Sequence, residues 1–319
     1  MKASRNRTLV FTEGDRKKLT KRLLTVESPQ TFDDVIGRTI HADVLDVLPL
    51  LPERCVDLLI ADPPYNLTKT FGGVVFRAID NLDYVAWLEE WVSQLPRLLK
   101  AAASIYVCCD WRCSCAMSSV FGSFFKVRNR ITWEREKGRG AKANWKNAHE
   151  DIWFCTMSDA CTFNLDAVKL KRRVVAPYRV GGAGGTPKDW DETPAGNYRM
   201  THPSNLWTDL TVPFWSMPEN TGHPTQKPEK LLAKLILASS NADDVVFDPF
   251  LGSGTTSVVA KKLGRRFFGV ERDRDYCLLT EKRLTLAEHD RAIQGYEDGV
   301  FWERNALSHG MHGKARKGE

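Results

Sequence analysis

The sequence predicts an α/β fold class with a mostly parallel sheet, and three observations carry that expectation. Short apolar runs bounded by turn residues recur along the chain, and stretches with helical spacing fall between them. The alternation is present on both sides of an irregular middle segment, so the two flanks form one sheet with a domain inserted into it. Two of the apolar runs end in aspartate-proline, at Asp62-Pro63 and Asp248-Pro249, and strand ends of open α/β sheets are where ligands collect.

Residues 1–30 lack periodicity and are expected to form a basic N-terminal arm, mobile or extended. Residues 31–155 make the first part of the main domain. Thr39–Ala42 is a short strand, and Val56–Ala61 is a buried strand running into the rigid turn Asp62-Pro63-Pro64. Tyr84, Trp87, Leu88, Trp91, Val92 and Leu95 recur at helical spacing, with Pro96 kinking or ending that helix. Ser104–Cys109, Ile131–Trp133 and Asp151–Cys155 are further strands, and the basic, glycine-containing stretch Glu134–His149 is a loop.

From 156 to 222 the pattern dissolves into Gly181-Gly182-Ala183-Gly184-Gly185, several prolines, and Trp190, Trp207 and Trp215. That segment is too long and too aromatic for a linker and reads as a small irregular inserted domain. Residues 223–290 are the second part of the main domain. Pro228 opens a helix with the stripe Leu231, Leu232, Leu235 and Ile236. Strand Val245–Phe247, helix Thr255–Leu263, strand Arg266–Val270 and helix Asp273–Glu288 follow. Residues 291–319 read as a C-terminal tail with solvated Lys314, Arg316 and Lys317.

A chain of 319 residues is long enough for one sizeable core plus a smaller domain. No apolar run is long enough to span a bilayer, and Met1-Lys2-Ala3-Ser4-Arg5 leads into no signal region. A soluble cytoplasmic protein without a membrane partner is expected. The eight cysteines show no disulfide framework, which fits a reducing cytosol. Cys108-Cys109-x3-Cys113-x-Cys115 lacks a nearby histidine and zinc-type spacing, so no metal is expected.

Net charge is +6, unevenly placed. Residues 1–25 hold eight Lys/Arg against Glu13 and Asp15, and residues 126–149 hold eight against Glu134 and Glu136. The rest of the chain is therefore net negative, and such basic patches attract polyanions.

The segment Asp248-Pro249-Phe250-Leu251-Gly252-Ser253-Gly254-Thr255-Thr256 runs from a strand end through a glycine loop into a helix. Glycines let the backbone approach a ligand, and a helix start offers unpaired N–H groups. A triphosphate would require Gly-Lys-Ser/Thr, and a dinucleotide fingerprint a third glycine where Ser257 stands. Asp248 favours a ligand carrying a positive group, and Glu271, ending the next strand, suits ribose hydroxyls. A purely structural βα turn is the alternative.

Asp62-Pro63-Pro64-Tyr65-Asn66 has a different chemistry. An exocyclic amine of a nucleobase is a poor nucleophile because its lone pair is delocalised into the ring. A carboxylate and a carbonyl gripping its two N–H groups favour the tetrahedral nitrogen that attacks a methyl donor. Asp62 and the Pro63 carbonyl could supply them, and Tyr65 could stack on a base turned out of its duplex. A plain Pro-Pro corner is the alternative.

These two segments, with His223-Pro224-Thr225-Gln226-Lys227-Pro228, resemble the signature set of the amino-group DNA methyltransferases. Their order resembles the permuted β group of that family. His41-Ala42-Asp43, Val56-Asp57-Leu58 and Asn147-Ala148-His149-Glu150-Asp151-Ile152-Trp153-Phe154 match its intervening segments, so the likeness covers most of 38–290.

The resemblance implies a seven-stranded Rossmann-like methyltransferase sheet, S-adenosylmethionine as cofactor, and an insert at 156–222 that recognises the target. It places Asp62, Pro63, Pro64 and Tyr65 at the target base. Ala42, Asp43, Asp62, Phe250, Gly252, Ser253, Gly254, Thr255, Thr256, Glu271 and Arg272 would line the cofactor. Asp43 would face its adenine and Glu271 its ribose, with Asp248 near its ammonium. His223, Pro224, Thr225 and Lys227 would close over its methionine end.

The expected reaction is adenine-N6 methylation in double-stranded DNA, with a restriction endonuclease as functional partner. A likeness to a GAATTC-modifying member implies that target. Arg135, Lys137, Arg139, Lys142 and Lys146 would contact phosphates, with a solvated loop as the alternative. Cytosine-N4 methylation uses the same turn, and aspartate at 62 favours adenine. An RNA amino-methyltransferase and a regulator on an inactive scaffold are the remaining readings. Direct transfer needs no covalent intermediate, so no cysteine need be a nucleophile, and His149 is expected to be structural or to touch phosphate.

Overall fold

The computed structural model describes residues 5–71, 74–135, 143–174, 178–182, 184–194 and 196–303. The chain opens with helix α1 (Glu13–Thr20), then strands β1 (Thr39–His41) and β2 (Val56–Ala61), helix α2 (Asn81–Val92) and strand β3 (Leu99–Cys109). Helix α3 (Ser114–Phe124) and strands β4 (Lys126–Glu134) and β5 (His149–Thr156) complete the first part. The inserted segment contributes β6 (Leu170–Arg173), β7 (Asp191–Thr193), β8 (Gly196–Thr201) and β9 (Leu206–Trp207). The second part holds α4 (Glu229–Ser239), β10 (Val245–Asp248), α5 (Thr255–Lys262), β11 (Arg266–Glu271), α6 (Arg274–Leu286), β12 (Tyr296–Glu297) and β13 (Val300–Trp302).

The central sheet has the order β1-β11-β10-β2-β3-β5-β4-β9. Only β5 runs against the others. It is the expected seven-stranded, mostly parallel sheet with one addition: β9, from the insert, extends the edge by pairing Leu206 and Trp207 with Thr132 and Trp133. The sheet buries both faces. Val56, Leu59 and Ala61 of β2 pack towards α2 and α3, and Leu58 and Ile60 towards α4 and α5, which is why β2 reads as a continuous apolar run.

The order of strands positions the site. From β2 the chain moves outward to β3, whereas from β10 it moves the opposite way to β11. Strands β2 and β10 are direct neighbours, with Leu58 opposite Val246 and Leu59 opposite Phe247. The sheet therefore changes its winding direction between them, and the carboxyl ends of these two strands flank the resulting crevice. Asp57 fastens this pair, accepting from the Val245 N–H at 2.9 Å and from Lys100 Nζ at 2.7 Å.

Three expectations are corrected. Residues 5–30 are not an extended arm. Thr12 and Asp15 cap each other's backbone N–H groups to start α1, and Arg16 and Lys282 pair with Asp275 and Asp15 to hold α1 on α6. The insert is not irregular: β7-β8-β6-β13-β12 is a second, five-stranded sheet. The tail is not featureless either, because residues 296–302 supply two of those strands. Lys314, Arg316 and Lys317 lie outside the described residues.

The insert is fastened to the main domain by a buried charge cluster. Asp209 accepts from Lys234 Nζ at 2.6 Å, while Lys230 donates to the carbonyls of Asp209 and Trp302. Both lysines belong to α4, so insert, tail and helix are tied at one point. Burial pulls Lys234 down to about 8 against the pull of Asp209. Among the described residues no helix is long and apolar enough to cross a membrane.

Candidate functional site

A cavity of about 680 Å³ opens at the carboxyl ends of β2, β10 and β11. Residues from both chain halves line it, among them Asp43, Asp62, Tyr65, Lys227, Asp248, Phe250, Gly252 and Glu271. The two sequence motifs thus meet because their strands are neighbours, not because they are close in sequence. Of the residues expected at the cofactor, Pro224 and Gly254 do not line the cavity; the other fourteen do.

The glycine loop is shaped by close approach. Gly254 has φ +78°, and a Cβ there would stand 2.5 Å from the Thr280 side chain. Gly252 has φ +54°, and a Cβ there would meet the His223 ring at 3.1 Å. Both positions therefore require glycine on conformational and steric grounds. Asp248 holds the loop from within. It accepts from the Phe250 N–H at 2.9 Å and from the Thr256 hydroxyl at 2.6 Å. Glu271 accepts from the N–H groups of Gly252 and Asp273, each at 2.7 Å.

Arg283, buried on α6, clamps the loop from behind. It donates to the Ser253 carbonyl at 2.8 Å, the Thr255 hydroxyl at 2.9 Å and Glu229 Oε1 at 2.9 Å. The side chain reads in the sequence as an ordinary helix-face charge, and no local pattern marks it.

The cavity wall is aromatic on one side. Phe250 meets Trp91 edge-on with centroids 4.9 Å apart and tilts against Trp87 at 6.0 Å. On the other side His223 packs edge-on against Tyr276 at 4.4 Å and accepts at Nδ1 from the Thr225 N–H. Burial lowers His223 to about 4, so the ring is neutral at physiological pH. Asp43 accepts from the Leu45 N–H and lies 3.5 Å from Arg272.

The Asp62 end is a charge network. Lys227 Nζ lies 2.6 Å from Asp62 Oδ2 and 3.3 Å from Glu150 Oε2, and the Tyr65 hydroxyl donates to Asp62 Oδ1 at 2.8 Å. Arg135 pairs with the other oxygen of Glu150. Lys227, expected over the methionine end of a cofactor, lines the cavity and also reaches Asp62. Burial alone would lower its pKa, but Asp62 and Glu150 together raise it. Burial and then Asp62 push the Tyr65 phenol well up, so it stays a donor. Glu150 was within a recognised segment, yet a lone acid at a strand start carries no signal of its partners.

Of the residues expected at phosphates, Arg135 turns inward to Glu150 and Lys146 is exposed. Lys137, Arg139 and Lys142 lie outside the described residues. Cys109 ends β3 and Cys113 stands just before α3, where its thiol donates to Asp110 at 3.2 Å. Cys115 is exposed.

Three desolvated acids shape the stability profile. Burial raises Asp248 to about 7 against its bonds from Thr256 and Phe250, and Glu271 to about 7 against its backbone donors. Burial, then the Glu229 charge, also raises Glu219. Each holds a proton that the unfolded chain has already released, so this stability is present in acid and lost as pH rises towards about 7. Neutral His223 works in the opposite sense, but only from about 4 up to 6.5. The melting temperature of the ligand-free protein is expected to fall between about pH 5 and about pH 8. A profile rising across that range contradicts the assignment.

The DNA methylase family pattern matches residues 56–282. The chain is 34% identical over 289 residues to the DNA adenine methyltransferase YhdJ of Escherichia coli (strain K12), covering 88% of this chain and 95% of that one. It is 33% identical over 255 residues to the type II methyltransferase M.HpaI of Haemophilus parainfluenzae, covering 77% and 74%. The solved M1.HpyAVI–SAM complex has the same fold, with a TM-score of 0.52 at 23% identity, covering 77% of this chain and 98% of that one.

Proposed function

This chain belongs to the N6/N4 DNA methylase family, and from that premise we propose that it methylates N6 of an adenine turned out of duplex DNA. Its methyl donor is S-adenosylmethionine. The observation that carries the reading is the single cavity in which Asp62 and the Gly252 loop face each other from neighbouring strand ends.

The residues fit that cofactor by their chemistry. Asp248 is buried and Glu271 half-buried, their bonds are to N–H and hydroxyl donors only, and desolvation raises both to about 7. An ammonium beside Asp248 and ribose hydroxyls at Glu271 supply the partners that such groups lack. The left-handed backbone at 252 and 254 shapes the loop, and of the two Gly252 lines the cavity. Phe250 offers an aromatic ring to the cavity, and Asp43, just after β1, lines it as well. When bound, the cofactor supplies an electrophilic methyl group.

The protein's own part is to prepare the amine. Asp62 and the Pro63 carbonyl accept its two N–H bonds and draw the nitrogen towards tetrahedral geometry, with Tyr65 stacking on the flipped ring. Hydrogen bonds to a charged acceptor are worth about 1.5–3 kcal/mol. Separating a buried ion pair costs about 3–5 kcal/mol. Lys227 must therefore stay paired while the amine binds.

The choice of adenine is supported by aspartate at 62 and by the likeness to YhdJ along nearly all of its length. The likeness to M.HpaI supports a place in a restriction-modification system, with an endonuclease of the same target as partner. GAATTC remains the target implied by sequence resemblance. The basic side chains Lys171, Arg172 and Arg173 of β6 and Arg199 of β8 give the insert the charge to track a duplex.

The test is to incubate the protein with methyl-labelled S-adenosylmethionine and unmodified genomic DNA, digest to nucleosides and identify the labelled one. Label in N6-methyladenine is expected. Label in N4-methylcytosine overturns the choice of base, and an absence of label overturns the transfer.

A further inference from the structure

Two carboxylates and two donors share the floor of the cavity, and both donors are unevenly divided. Lys227 Nζ is 2.6 Å from Asp62 and 3.3 Å from Glu150. The Tyr65 hydroxyl is 2.8 Å from Asp62 Oδ1 and 3.4 Å from Glu150 Oε2. Each oxygen of Asp62 is thus already occupied, one by each donor. A target amine arriving here must compete with both donors for the oxygens of the side chain meant to hold it.

We propose that Glu150 is a positioning residue that takes Lys227 and the Tyr65 hydroxyl from Asp62 as the target base enters. The inference rests on the reading that Asp62 accepts an exocyclic amine. A neutral N–H is a weaker partner for a carboxylate than an ammonium, so the amine displaces Lys227 only where the ammonium has a second carboxylate to go to. Glu150 is the carboxylate in reach, and it is buried, as is Lys227. Its other oxygen is fixed by Arg135, so it faces the donors in a set orientation.

The exchange moves hydrogen bonds and no proton. Lys227 remains a cation beside one carboxylate throughout, and Asp62 is freed with both oxygens and its full charge. The topology explains why the partner is available. Strand β5 is the one reversed strand of the central sheet, so its first residues, not its last, stand at the cavity end.

The test compares Glu150→Gln and Glu150→Asp with the wild-type protein, reading initial rates of label transfer into DNA and cofactor affinity by calorimetry. Glu150→Gln is expected to lower kcat by about thirtyfold or more, with cofactor Kd and KM for DNA changed by less than about twofold. Glu150→Asp restores kcat to within about fivefold of wild type. Unchanged kcat in Glu150→Gln, or a parallel loss of cofactor affinity, overturns the proposal, as does failure of aspartate to outperform glutamine.

A second measurement needs no variant. In a crystal structure of the wild-type protein with sinefungin and a duplex carrying the unmethylated target base, Lys227 is expected on Glu150 and away from Asp62. Lys227 still on Asp62 with the base in place overturns the proposal. A wild-type protein that labels no DNA removes the methylation reading itself and this inference with it.

Discussion

Asp62→Ala is expected to lower kcat for methyl transfer by about a thousandfold or more, since it removes a preorganised acceptor at the reacting nitrogen. DNA and cofactor binding are expected to persist, and the surroundings show why. The variant takes the nearer carboxylate from Lys227, but Glu150 remains 3.3 Å away, so the buried ammonium keeps a partner. The Tyr65 hydroxyl keeps Lys227 at 3.1 Å and Glu150 at 3.4 Å. Asp62 follows strand β2 without being part of its ladder, and the two prolines hold the turn whatever side chain precedes them. Single-turnover rates read beside calorimetry and gel-shift titration check the separation. Loss of binding together with transfer would show that Asp62 holds the fold and not the base. Asp62→Asn keeps one acceptor without the charge and is expected to retain more activity than alanine.

The parts of this site that were legible in the sequence are those set by local chemistry. Val56–Ala61 and Val245–Asp248 are buried on both faces, so they appear as unbroken apolar runs, and each hands directly to its motif. The glycines at 252 and 254 mark a loop that only glycine can form. The parts that were hidden depend on distant partners. Residues 13–20 are almost wholly polar, with Leu19 alone buried, so α1 has no apolar stripe to betray its docking on α6. Val300–Trp302 is too short to read as a strand until the insert offers β6 beside it. Lys227 looked like a cofactor ligand from its motif, and its contact with Asp62 follows only from the folding of the motif's loop over the end of β2.

The same limit governs Arg283, whose replacement by methionine is expected to destabilise the protein by about 3–5 kcal/mol, the range for breaking a buried ion pair from one side. Methionine preserves much of the volume and removes the charge. Glu229 is then left with Lys262 at 2.7 Å, and it stands beside Glu219, which accepts from the Glu229 N–H at 2.8 Å. The Ser253 carbonyl loses a buried donor as well. Since that carbonyl and the Thr255 hydroxyl belong to the cofactor loop, stability and affinity should fall together. A cofactor Kd weaker by about tenfold corresponds to about 1.4 kcal/mol of lost loop order. Urea unfolding and calorimetry check the two effects, and saturating cofactor should return part of the lost stability, because it binds only the folded chain. A folded variant with wild-type affinity would show that Arg283 secures α4 and α6 alone. Weakened affinity at a temperature where the variant is fully folded would show that the clamp reaches across the loop to the ligand.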